Sequence, residues 1–127
     1  MSSIPDELKY TKEHEWVRLE NDRAVVGITD HAQTELTDVV YVELPAVGSE
    51  FSEGEEFAII ESVKAASEIY APIGGVVAEV NAELEDKPEL INEDPYGKGW
   101  IVVLEVKDKA DIDKLMTSEQ YRELIEE

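Results

Sequence analysis

The sequence predicts a mostly β domain, a sandwich or partly open barrel, with one short inserted helix and a helical C-terminus. Two observations carry this reading. Short runs rich in Val, Ile, Tyr, Phe and Trp recur from residue 16 to residue 106, separated by turns rich in Gly, Pro, Asn or Asp. Apart from a single turn at 89–92, helical spacing of apolar residues occurs only around residues 30–36 and beyond 109. A chain of 127 residues favours one domain and can bury a core without staples.

In chain order, residues 1–10 read as an irregular lead-in. Trp16-Val17-Arg18-Leu19-Glu20 is a strand, Asn21-Asp22 a turn, and Ala24-Val25-Val26-Gly27-Ile28 the returning strand of a hairpin. Asp30 followed by Gln33 resembles a capping box, and Ala32 and Leu36 share a helical face, which predicts a short helix. Val39 to Leu44 is β-rich and ends at Pro45. A short extended piece, Val47 to Phe51, and a turn, Ser52 to Glu56, lead into a central hairpin, Phe57-Ala58-Ile59-Ile60 returning as Ile69-Tyr70-Ala71. Pro72 to Gly75 is a turn whose glycines serve its backbone conformation, and Val76 to Val80 another strand. Asn81 to Pro88 is polar, Glu89 to Asn92 one helical turn, and Asp94 to Gly99 a loop. Trp100 to Val106 is nearly continuous apolar sequence, as in a strand buried on both faces. Ile112, Leu115 and Met116 predict a short helix. Thr117 with Gln120 predicts a capping box for a second, carrying Tyr121, Leu124 and Ile125. Asp38-Val39-Val40 and Gly75-Val76-Val77 form a faint repeat, which would fit two similar half-sheets linked at residue 64.

Composition excludes several functions. The formal charge of −20, from 31 acidic and 11 basic residues, argues against nucleic acid and against anionic membranes. With no cysteine there is no disulfide, thiolate metal site or cysteine nucleophile. His14 and His31, with Glu13, Glu15 and Asp30 nearby, stand 17 residues apart without ligand spacing, so no metal is expected. Both read as surface or hydrogen-bonding residues, and Trp16 and Trp100 as core. An acidic N-terminus without an apolar run and no span-length apolar segment lead to the expectation of a cytoplasmic, prokaryotic-type protein.

Lys64 stands out. It lies seven residues after Phe57 and seven before Ala71, at the tip of the central hairpin. Its neighbours Ser62, Val63, Ala65 and Ala66 are uncharged, and the small residues after it leave room for a modifying enzyme. An amide on this lysine converts a cation into a neutral, swinging tether.

Glu61-Ser62-Val63-Lys64-Ala65, followed by Ser67 and Tyr70-Ala71-Pro72, resembles the lipoylation motif of glycine cleavage system H proteins. Four further blocks resemble that family in order: Tyr10 to Val17, Val26 to Gln33, Val40 to Pro45 and Asn92 to Trp100. Biotin carriers have methionine on both sides of the lysine, and lipoyl domains of 2-oxo-acid dehydrogenases typically have aspartate before it; here the flanks are Val63 and Ala65. The resemblance implies a lipoyl-domain-like barrel-sandwich hybrid of two small sheets. It implies one carrier domain over 1–127, with a core at about 23–106 and a helical tail at about 109–126. Lys64 would carry lipoate, within a motif of Glu61, Ser62, Val63 and Ala65. The chain would be no enzyme by itself. It would shuttle an aminomethyl group from glycine decarboxylase to a tetrahydrofolate-dependent aminomethyltransferase. Dihydrolipoyl dehydrogenase would reoxidise the arm, and a lipoylating enzyme would attach it. Glu15 and Glu68 are implied to line a groove for the loaded arm. The sequence departs from the common pattern at Thr37, where glycine is frequent, and at Glu68, often aspartate. The alternative is an H-like module serving lipoyl relay or docking in another lipoate-dependent system.

The dense carboxylate surface suggests adaptation to high intracellular salt, where screening relieves self-repulsion. The thermal midpoint is expected to rise with added KCl; a midpoint that falls as salt increases would exclude a halophilic origin for the acidity.

Overall fold

The computed structural model describes residues 3–125. Strands β1 (Lys9–Tyr10), β2 (Glu15–Glu20), β3 (Arg23–Ile28), β4 (Val39–Glu43), β5 (Glu50–Phe51), β6 (Glu56–Ser62), β7 (Ala66–Tyr70), β8 (Gly75–Val80) and β9 (Val102–Val106) make two antiparallel sheets. One has six strands in the order β1-β2-β3-β9-β8-β5; the other has three, β4-β6-β7. Helices are α1 (Asp30–Leu36), α2 (Glu83–Asp86), α3 (Leu90–Glu93) and α4 (Ser118–Ile125), with a 3₁₀ helix at Lys109–Lys114. The expected end of the tail at residue 126 lies outside the described residues. Among the described residues no helix is long and apolar enough to cross a membrane.

The mostly β fold with an inserted helix and C-terminal helices is the architecture the sequence predicts. The first hairpin has Glu20 opposite Arg23, which leaves Asn21-Asp22 as a two-residue turn. Asn21 takes φ 59, a left-handed conformation that asparagine tolerates. The capping box of α4 forms as read: Thr117 N donates to Gln120 Oε1 at 3.0 Å and Gln120 N to Thr117 Oγ1 at 3.2 Å.

Other elements differ from the expectation. The lead-in contains β1, paired with β2 and too short to show a period. The cap of α1 is Thr29, whose Oγ1 accepts from Ala32 N; Asp30 is the first helical residue and accepts instead from Gln33 Nε2 at 2.7 Å. Helix α2 arises in the stretch read as merely polar, because one apolar residue, Leu84, is fully buried beneath it. Ile112 sits in 3₁₀ rather than α geometry, and Leu124 is exposed although it shares α4 with the buried Tyr121. The strand expected at Trp100 begins at Val102, although Ile101 N still donates to Val26 O. The two halves are not alike: β4 and β8 do begin the two repeat segments, but the sheets have six and three strands. Lys64 lies in a hairpin within the smaller sheet.

The main core lies between the sheets, with Val26, Val102 and Leu104 from one and Val42, Ile60 and Ile69 from the other. Each such fully buried aliphatic side chain contributes about 1.5–3 kcal/mol. A second cluster, Tyr10, Trp16, Val25, Val103 and Tyr121, covers the opposite face of the six-stranded sheet. Strand β9 lies between β3 and β8 and feeds both clusters, which explains its continuous apolar sequence.

Gly75 is glycine for want of space rather than for turn conformation. A Cβ there would stand 2.6 Å from Glu105 O, whereas at Gly74 the nearest atom is 3.7 Å away. Gly75→Ala is therefore expected to lower unfolding free energy by about 1–3 kcal/mol, with Gly74→Ala much milder. Urea denaturation of both variants checks this; equal losses would refute the steric account.

Candidate functional site

The β6–β7 hairpin pairs Ile60 with Ser67 and Glu61 with Ala66, leaving Val63, Lys64 and Ala65 in the connection. Ser62 shapes it. Its N–H donates to Ala65 O at 2.8 Å, and its Oγ accepts from Lys64 N and Ala65 N, both at 3.1 Å. A serine hydroxyl closing a turn in this way replaces backbone bonds that the tight loop cannot make. Lys64, Ala65 and Ala66 are all exposed.

The tip is tied down on one side. Val63 N donates to Asp38 O at 3.0 Å, and Lys64 Nζ donates to Glu35 O at 3.0 Å. Glu35 is in the last turn of α1, where carbonyls lack helical partners and carry the negative end of the dipole. Asn92 holds this floor in place. Its Oδ1 accepts from Val39 N at 2.9 Å, and its Nδ2 donates to Thr37 O at 2.7 Å and Gln33 Oε1 at 2.9 Å. Sequence reasoning missed Asn92; a lone asparagine in a polar stretch carries no signal of what it will reach.

A groove of about 340 Å³ opens beside the hairpin. Ala65, Ser67 and Ile69 form one wall, Ala32 and Leu36 of α1 the other, and Glu13 also lines it. A second groove of about 300 Å³ is lined by Glu15, Tyr70 and again Glu13, so the two share that residue.

Glu15 is 1% exposed. Its Oε1 accepts from Thr11 Oγ1 at 2.6 Å and its Oε2 from Tyr70 N at 3.2 Å. Burial pushes its pKa up to about 7, against the pull of those two hydrogen bonds. Glu68 is exposed on β7, opposite Ile59, and lines neither groove. Burial raises the Tyr70 hydroxyl pKa, and the charges of Glu68, Glu13, Glu56 and Glu15 raise it further. Glu61 is exposed and lies between Tyr41 and Ala66 on neighbouring strands.

His14 lines the first groove with its backbone at φ 73. Its Nδ1 is 2.8 Å from the Tyr121 hydroxyl, which is 2.7 Å from Thr29 Oγ1. Burial, then the neighbouring His31 ring at 4.9 Å, lowers the His14 pKa. Trp16 is wholly buried, with its Nε1 donating to Pro95 O, while Trp100 is half-buried. Among the described residues no cluster of three or more His, Cys, Asp or Glu side chains is placed to hold a metal.

The geometry is that of a displayed amine beside a partly apolar trough with carboxylates at hand. Comparison with known proteins gives the family. Residues 8–127 match the family model described as glycine cleavage H-protein. A glycine cleavage system H protein of Carboxydothermus hydrogenoformans is 50% identical over all of this chain and 98% of its own. One from Geobacillus sp. strain WCH70 is 56% identical, covering 98% of each chain. The crystal structure of a glycine cleavage system H protein from Mycobacterium marinum superposes with a TM-score of 0.88 at 36% identity, covering 94% of this chain and 97% of that one. The chain therefore belongs to the glycine cleavage H-protein family, the non-catalytic, lipoyl-carrying shuttles of the aminomethyl group in glycine cleavage.

Proposed function

We propose that Lys64 is the lysine that holds lipoate, in amide linkage, and that the loaded arm shelters in the grooves beside its hairpin. The observation that carries this is the Ser62-closed turn, which presents an exposed amine with a 340 Å³ trough starting at the very next residue. The exposed Ala65 and Ala66 leave room for an acyl chain to leave Nζ and turn into that trough. Glu61, Ser62, Val63 and Ala65 form the motif that presents the amine. Lipoate supplies a dithiolane for thiol–disulfide exchange and for holding the aminomethyl group.

The chain's own residues then have defined tasks. Ala32, Leu36 and Ile69 exclude water from the arm. Glu15, in the groove at the Tyr70 end, accepts a charge-assisted hydrogen bond from the cationic nitrogen, and Glu68, exposed outside both grooves, adds negative charge near Tyr70. Glu15 is desolvated beforehand, so its attraction for a cation is not diluted by water. The partners in this reading are glycine decarboxylase, the aminomethyltransferase, dihydrolipoyl dehydrogenase and a lipoylating enzyme, in a bacterial cytoplasm. A tether keeps its cargo concentrated near each of them in turn. The whole chain acts as one carrier unit, with a core at about 23–106 and a tail from about 109 bolted on through paired backbone bonds between Tyr10 and Met116.

Intact mass from the native host is expected to show a lipoyl increment that Lys64→Arg abolishes; its absence from the native protein would overturn the assignment. Glycine–bicarbonate exchange by the partner decarboxylase should depend on the lipoylated form, and independence would favour the relay alternative.

Glu15 gives a pH test. Its pKa is about 7 when folded against an ordinary 4.5, so between those values the folded chain keeps a proton that the unfolded chain has lost. Its contribution is therefore most favourable below pH 4.5 and falls away as pH rises through about 7, by about 3 kcal/mol at most. Glu15→Gln should gain stability relative to the parent across that window. It should also shorten the lifetime of the loaded arm, and an unchanged lifetime removes Glu15 from the cation site.

A further inference from the structure

Three of the six large apolar side chains exposed among the described residues gather at the lysine hairpin. Val63, 68% exposed, immediately precedes Lys64; Val40 and Tyr41, 52% and 49% exposed, lie on β4. The strand register brings them together. Val39 faces Ser62, Tyr41 faces Glu61, and Val40 bulges out between those two pairs. Val63 N is bonded to Asp38 O, one residue before β4. Strand β4 is an edge of its sheet. Asp38, Glu43 and Glu61 stand exposed around the patch and have no ion-pair partner among the described residues.

We infer that the Val40–Tyr41–Val63 patch is the surface gripped by the enzyme that attaches the lipoyl group, an inference that rests on the reading of Lys64 as the attachment site. Enzymes that work on the far end of a tether can stand off from the hairpin. The enzyme that makes the amide must enclose Nζ itself, and so must cover what surrounds it. In that step Nζ leaves the Glu35 carbonyl and attacks the carbonyl carbon of an activated lipoyl donor, an acyl adenylate or thioester. The N–C bond forms, the bond to the adenylate or thiol breaks and the leaving group keeps the electron pair; Nζ, an ammonium at the start, gives up two protons to solvent, one before the attack and one as the amide forms. A partner suited to this patch has a shallow apolar socket inside a basic rim. The apolar side chains supply the dry centre of the contact, and the unpaired carboxylates draw the positive rim towards it.

The test uses the unmodified full chain with a lipoate ligase, lipoate and ATP, and follows initial rates by intact mass. Val40→Thr/Tyr41→Thr keeps β-formers on an exposed edge and leaves the buried Val39 and Val42 in place. We expect kcat/KM for lipoylation to fall at least tenfold, with an unchanged thermal midpoint. Once driven to full lipoylation, the same variant should support glycine–bicarbonate exchange at the parent rate. Val40→Lys, read alongside as an independent variant, should lose more than Val40→Thr because it repels a basic rim. Lipoylation of either variant within twofold of the parent overturns the inference. So does an exchange rate that falls in parallel, which would assign the patch to the decarboxylase. A parent chain that takes up no lipoyl group defeats the reading of Lys64 itself, and the inference with it.

Discussion

The backbone between Glu35 and Val39 is the floor on which the lysine hairpin stands. Two of its carbonyls, Glu35 O and Asp38 O, receive Lys64 Nζ and Val63 N. The floor is not relaxed. Thr37 sits at φ 65 and ψ −146, a region almost confined to glycine that costs another residue about 1–3 kcal/mol. The three hydrogen bonds from Asn92 offset that cost and fix both flanks, Thr37 O on one side and Val39 N on the other. Only an amide can do this, because the task needs an acceptor and two donors on one short side chain. The display of Lys64 thus depends on a residue from α3, which has no contact with the lysine's own strands in sequence.

That dependence explains what was legible. The hairpin was legible because two β-rich runs flank a short polar centre, and the capping box of α4 because both of its partners lie within four residues. Lys64 followed from symmetry between those runs. Interactions that join distant segments left no trace. Asn92 is one; α2, nucleated by the burial of Leu84 alone, is another. Thr29 was passed over as a cap because Asp30 is an equally good cap residue, and only backbone geometry decides between neighbours. Glu15 was reached through family resemblance, since nothing in Glu13-His14-Glu15 says which acid turns inward. Gly75 was read for its backbone freedom, whereas the constraint is the approach of β9.

Glu15 is the residue that the fold accommodates least comfortably. A carboxylate buried to 1% exposure receives one bond from a neutral hydroxyl and one from a backbone amide, with no cation paired to it among the described residues. Removing an ionised carboxylate from water costs several kcal/mol unless it is paired. An apolar residue there would be easier to bury. On the proposed reading, a group held at such a cost is suited to a cation that arrives from outside, because its dehydration has already occurred during folding. Glu68 contributes differently. It stays in water on the outer face, so its charge does not burden the core.

The C-terminal helix completes the argument for treating the chain as one body. Tyr121 stacks on Tyr10 at 4.8 Å, with ring planes 9° apart, inside the second cluster. Its hydroxyl simultaneously meets His14, which lines the groove beside the hairpin, and Thr29, which caps α1. His14 is held at φ 73, and the hydrogen bond at its Nδ1 is what fixes its ring there. One phenol therefore joins the tail, the groove wall and the helix whose last turn receives Lys64 Nζ. Burial pushes the Tyr121 phenol pKa up to about 12 and the His14 imidazole pKa down, so it disfavours charge on both partners of this junction. The tail is thus tied to the helix beneath Lys64 although it lies more than fifty residues beyond that lysine in the chain.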